Sequence, residues 1–193
     1  MITQLKGRMV EKSPTEVVID CNGVGYMVHI SLNTFSKLTD SESIILFTHL
    51  QVKEDSNTLF GFYEKTERNL FRQLISVSGI GASIARTMLS SLSPSEIQSA
   101  IISGNVSVIQ SIKGIGLKTA QRVIIDLKDK VSAISENDNF IGNISNTNQD
   151  EALSALEVLG YNRKHTNKVI ETLLNNSPEM SVEELIKSAL NKL

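Results

Sequence analysis

Apolar and polar residues alternate with a period of two through residues 1–63, in Val17-Val18-Ile19, Gly25–Ile30, Ile44–Phe47 and Thr58–Phe62, after an opening strand near Ile2–Val10. Ser13-Pro14, Asn22-Gly23 and Asp55-Ser56-Asn57 supply turn chemistry between these runs, and Asn33–Leu38 reads as one short helix. About five short strands with a single small helix predict a small closed or partly open β-barrel. At Glu64 the period becomes helical: Leu70, Phe71, Leu74 and Ile75 form one apolar stripe, and the chain stays helical to about Val131. Ser93-Pro94-Ser95-Glu96 opens a fresh helix with Ser93 as N-cap, and Gly104 ends it.

Residues 132–148 are rich in Ser and Asn and carry little apolar periodicity, which predicts a flexible linker. Three helices follow within 149–193, over Asp150–Leu159, Arg163–Asn175 and Ser181–Leu193, the last opened by the capping box Ser181-Val182-Glu183-Glu184. So small a unit sits near the lower limit for independent folding and suits a docking module. The expected organisation is a barrel over 1–63, an all-α domain over 64–131, the linker, and a C-terminal three-helix bundle.

The all-α segment repeats itself. A shift of 35 residues lays Leu74 on Ile109, Val77 on Ile112, Gly79 on Gly114, Ile80 on Ile115, Gly81 on Gly116, Ala85 on Ala120 and Met88 on Val123. Each copy reads as helix, hydrophobic-x-Gly-Ile-Gly, helix, the pattern of a tandem helix-hairpin-helix. The glycines permit positive φ or close approach of a ligand, and each isoleucine is placed to plug the space between its two helices. Such a turn exposes successive N–H groups at the start of the second helix, where the helix dipole also favours an anion. A DNA backbone phosphate fits these donors, so binding is expected to be independent of sequence and sensitive to salt. Arg86 after the first turn, and Lys118, Thr119 and Arg122 after the second, stand where side chains reinforce the amides.

Charge partition supports this reading despite a net charge of −2. Between Glu64 and Val131 nine basic side chains outweigh five acidic ones, giving +4, against −2 for residues 1–63 and −4 for 132–193. The Gly-rich turns are not nucleotide loops. No Gly-Lys pair occurs in the chain, so Gly114-Ile115-Gly116-Leu117-Lys118-Thr119 fails the P-loop pattern, and neither hairpin completes Gly-x-Gly-x-x-Gly.

No catalytic constellation, metal site or cofactor site emerges. His29, His49 and His165 lie in separate segments, and Glu54-Asp55, read as strand neighbours, would point to opposite faces. A single cysteine, Cys21, fits a reducing compartment, and the chain lacks both a signal-peptide pattern and a long apolar run, so a soluble cytoplasmic protein without membrane contact is expected.

The order of parts resembles the RuvA family of Holliday junction proteins across the whole chain. The residues that carry the likeness are Met1-Ile2 with Leu5-Lys6-Gly7, Gly23–His29, Phe47-Thr48-His49, Lys53-Glu54-Asp55, Leu59–Phe62, Glu67-Arg68, Phe71, and both hairpins with Lys118-Thr119-Ala120. The resemblance implies an OB-fold barrel, a UBA-like C-terminal bundle and a homotetramer that holds a four-way junction open and flat. It further implies arms pumped by a RuvB-like hexameric ATPase and cleavage by a RuvC-like resolvase, in recombination and repair. Glu54 and Asp55 become an acidic pin near the junction centre, and Leu156, Leu159, Gly160, Tyr161 and Leu173 a patch that docks the ATPase.

Two positions depart from the family pattern. Ala82-Ser83 stands where relatives often place Pro-Lys, and Leu117 where a second lysine is common. The alternative from the residues themselves is a binding protein for single-stranded or gapped DNA without junction preference. The absence of tryptophan, and the placement of Tyr26, Phe47, Phe60, Phe62 and Tyr63 on or beside core strands, leave few stacking platforms for it.

Overall fold

The computed structural model describes residues 1–39, 43–138 and 144–193, with the side chains of 132–138 and 144–147 outside the description. Two compact units make up the chain, Met1–Ser135 and Glu136–Leu193.

Five strands, β1 (Gln4–Lys12), β2 (Glu16–Cys21), β3 (Val24–Ile30), β4 (Ile44–Val52) and β5 (Asn57–Phe62), form a closed barrel in the order β1-β2-β3-β5-β4, with β4 returning to β1. The β3–β5 pairing is parallel and the other ladders are antiparallel. The alternation predicted a small barrel and the resemblance an OB-fold; the arrangement meets both, and closure leaves no sheet edge open. Asn22 and Gly23, both at positive φ (55° and 90°), make the tight β2–β3 turn that an Asn-Gly pair favours. Leu5, Val17, Ile19, Val28, Ile30, Leu46 and Leu59 alternate inward and fill the barrel. The short helix α1 (Leu32–Lys37) is N-capped by Ser31, whose hydroxyl accepts from the Thr34 amide.

The helical half and its continuation run through α2 (Lys65–Ile75), α3 (Ala82–Ser91), α4 (Pro94–Ser103), α5 (Val106–Gln110) and α6 (Leu117–Asp138), followed by α7 (Ile144–Val158) in the second unit. Ser93 caps α4 through a capping box with Glu96, and Gly104 ends it at φ 70°. The segment read as a linker, 132–148, is helical in backbone at 132–138 and 144–148; residues 139–143 lie outside the described residues. The apolar residues of that segment, Ile134, Phe140, Ile141 and Ile144, have no described side chains.

Phe60 and Phe62 face outward from the barrel. They stack on Phe71 of α2, with ring centroids 5.2 and 4.9 Å apart, and join the core of the helices rather than that of the barrel. A polar lock reinforces this seam. Glu67 of α2 is fully buried and accepts hydrogen bonds from Ser31 Oγ and from Thr34 Oγ1 at 2.7 Å, while Thr34 Oγ1 accepts from the Tyr63 amide at 3.0 Å. Arg68 and Arg72 of the same helix donate to the Thr3 and Thr48 carbonyls. Barrel and helices therefore form one compact body.

In the second unit α7, α8 (Arg163–Asn176) and α9 (Val182–Leu190) bury Ala152, Leu153, Leu156, Ile170, Leu173, Leu185 and Ala189 against one another. Ser181 and Glu184 form the expected capping box, and Asn162 caps α8.

Candidate nucleic-acid interface

Both Gly-Ile-Gly turns adopt the same backbone. Gly79 and Gly114 take φ of 95° and 93°, a left-handed conformation that a side chain resists. The Ile80 amide donates to the Val77 carbonyl at 3.0 Å, and the Ile115 amide to the Ile112 carbonyl at 3.1 Å. Ala85 and Ala120 donate back to Gly81 and Gly116, at 2.9 Å in each case, so each second glycine is the N-cap of its following helix. A glycine cap has no side chain to satisfy the first helical N–H groups, which are left for solvent or an anion. A Cβ at Gly81 or Gly116 would meet nothing within 4 Å, so the space beside each of these two glycines is open. Ile80 and Ile115, only 4% and 6% exposed, plug the core behind each turn as expected, so their side chains do not face a ligand.

The turns lie beside each other. A side chain added at Gly79 would meet Thr119 Cγ2 at 3.8 Å, and Arg122 Nη1 approaches the Ser78 carbonyl at 3.5 Å. Thr119 and Arg122 therefore rise from α6 between the two turns. Lys118 is exposed at the start of α6. Arg86 is half-buried, donating to the Thr15 carbonyl at 3.3 Å and lying 3.4 Å from His29 Nδ1, which in turn is 3.2 Å from Glu16 Oε1. It braces the first hairpin against the barrel while lining the groove beside it.

Two cations join these that the sequence did not single out. Lys113 precedes Gly114 in the second turn and is exposed; the repeat frame held the signal, since it sits at the mouth of the motif. Lys53 lies in the same groove as Arg86 and Ser83, a proximity that no sequence spacing announces.

Glu54 and Asp55 are exposed in the turn between β4 and β5, closed by the Lys53 amide donating to the Ser56 carbonyl at 2.8 Å. They are turn residues, as the turn chemistry of Asp55-Ser56-Asn57 predicts, and not strand neighbours, so the opposite-faces argument does not apply to them. Among the described residues no group of three His, Cys, Asp or Glu gathers in a way that would hold a metal. Of the aromatics, Phe60 and Phe62 are buried, but Tyr63 is 44% exposed.

In the C-terminal unit Leu156 and Leu173 belong to the core. Leu159 (59% exposed) and Tyr161 (37%) flank Gly160, which turns the chain at φ 97°, and Val158 (88%) extends their apolar surface. No helix among the described residues is long and apolar enough to cross a membrane.

Family models agree with this layout: RuvA N terminal domain over residues 1–61, SAM-like helix-hairpin-helix tandem over 71–129, and RuvA C-terminal domain over 147–193. The chain is 61% identical over its full length to a protein of Christiangramia forsetii, 60% to one of Flavobacterium psychrophilum and 43% to one of Bacteroides fragilis. Each covers 100% of both chains and is named Holliday junction branch migration complex subunit RuvA. With barrel, paired hairpins and C-terminal bundle all matched in order, the chain belongs to the RuvA family.

Proposed function

We propose that this chain is a non-catalytic, cytoplasmic DNA-binding subunit that recognises four-way junctions by their backbone. It holds them open and flat as a homotetramer and recruits a RuvB-like hexameric ATPase for branch migration, with a RuvC-like resolvase acting on the same junction. The observation that carries the reading is the pair of matching turns, each opening a helix on an unobstructed glycine N-cap and set side by side. Two adjacent anion sites suit successive phosphates of one strand, and such contacts ignore base sequence.

Junction preference then comes from symmetry. The barrel, 1–63, sits at the centre, where copies of Glu54 and Asp55 repel converging phosphates over a reach of roughly 8–10 Å at ordinary salt. The helices of 64–131 grip the arms through Gly79, Ile80, Gly81, Arg86, Gly114, Ile115, Gly116, Lys118, Thr119 and Arg122. The unit over 149–193 docks the ATPase through Leu159, Gly160 and Tyr161, supported from beneath by Leu156 and Leu173.

A gel-shift comparison of a four-way junction, a linear duplex and a single strand tests the proposal, with solution mass measured on the same samples. Preferential junction binding by a tetramer is expected. Equal affinity for all three would instead favour general binding of single-stranded or gapped DNA, and a monomer with and without junction would reject the mechanism.

A further inference from the structure

The two hairpins match in backbone but not in charge. In the 35-residue frame Ser78 stands opposite Lys113, Ser83 opposite Lys118 and Thr87 opposite Arg122, so the first copy carries a hydroxyl at three positions where the second carries a cation. The first hairpin has a different neighbour. A groove of about 530 Å³ separates the start of α3 from the barrel, with Gly81, Ser83 and Arg86 on one wall and His29, Gln51 and Lys53 on the other. Arg86 is held there by the Thr15 carbonyl and His29. The Lys53 side chain is exposed and makes no ion pair among the described residues.

We infer that the first hairpin takes its missing cation from the barrel, Lys53 reaching across this groove to the same DNA phosphate that the α3 amides hold. The inference rests on the proposed DNA-backbone binding and adds a binding residue that the motif itself does not contain. The second hairpin carries its own cations on its own helix and turn; the first has Arg86 on α3, already engaged with Thr15 and His29, and depends on the docked barrel for a further cation. Lys53 also adjoins Glu54 and Asp55, so the sign of the charge reverses within one turn. A phosphate is drawn into the groove and repelled at the tip, which sets where a strand leaves the hairpin for the junction centre.

The test uses the full-length chain and a labelled four-way junction, with affinity measured between about 50 and 200 mM salt. Lys53→Gln should bind roughly three- to ten-fold more weakly, and its plot of log K against log salt should be shallower by about 0.9 for each phosphate left unneutralised. Adding Ser83→Lys to that variant restores a cation at the position equivalent to Lys118 and should recover both affinity and slope. Lys53 is exposed, so the thermal melt should not move. Unchanged affinity and slope in Lys53→Gln would overturn the inference, as would failure of Ser83→Lys to rescue a weakened variant. A wild-type chain that binds no DNA at all would overturn the proposed DNA binding too, which separates the two failures.

Discussion

Thr119, at the start of the helix after the second hairpin, packs 3.8 Å from where a side chain on Gly79 of the first would begin. That proximity joins two turns 35 residues apart into a single surface. Helix packing, and not a flexible connection, therefore fixes the spacing of the two turns and with it that of the proposed anion sites.

The glycines of each turn divide into two kinds. Gly79 and Gly114 are needed for positive φ, so Gly114→Ala should lower stability by about 1–3 kcal/mol through backbone strain. Gly81 and Gly116 have room for a methyl group, and their replacement by Ala should leave the melt nearly unchanged while obstructing a phosphate. Thermal melts and junction binding measured together check this; a Gly116→Ala variant that keeps full affinity would remove the amides of α6 from the interface.

Ile80 and Ile115 serve packing. Ile115→Ala should cost about 2–4 kcal/mol, because the turn is held from behind by that side chain and its neighbours do not collapse fully into the gap. Urea denaturation measures the loss, and a change under about 1 kcal/mol would show that the turn does not depend on its plug.

A buried carboxyl and a partly buried imidazole should give opposing pH dependences. Burial raises the Glu67 carboxyl above 4.5, with the Ser31 and Thr34 hydroxyls pulling it partly back. Its contribution to stability is therefore greatest below 4.5 and declines as pH rises through the higher folded value. His49 is held below 6.5, first by burial and then by Arg72 and Arg68, so its contribution is complete above 6.5 and is lost as pH falls through the lower folded value. Glu67→Gln removes the first slope, and Tm should then climb more steeply between these pH values than in the wild type. Parallel curves would count against the assignment.

For the C-terminal unit, Leu159→Ser should leave helicity intact and abolish capture of a RuvB-like ATPase, since Leu159 is exposed. Leu156→Ala should instead melt the unit, at a cost of about 2–5 kcal/mol, because Leu156 is part of its small core. Retained ATPase capture by a folded Leu159→Ser variant would move the docking surface elsewhere.

Local rules made much of this protein legible from its sequence. Alternation specified the strands, the Asn22-Gly23 turn and the Ser93 and Ser181 caps follow from backbone chemistry within a few residues, and the repeat exposed both hairpins because their glycines answer to local φ. The tertiary structure decided what depends on residues far apart in the chain. It turned Phe60 and Phe62 outward onto Phe71, buried Glu67 beneath Ser31 and Thr34, sank Leu156 and Leu173 into a core, and brought Lys53 beside Ser83. Periodicity marks which residues leave water, but not which surface they meet. That choice belongs to the packing of one element on another.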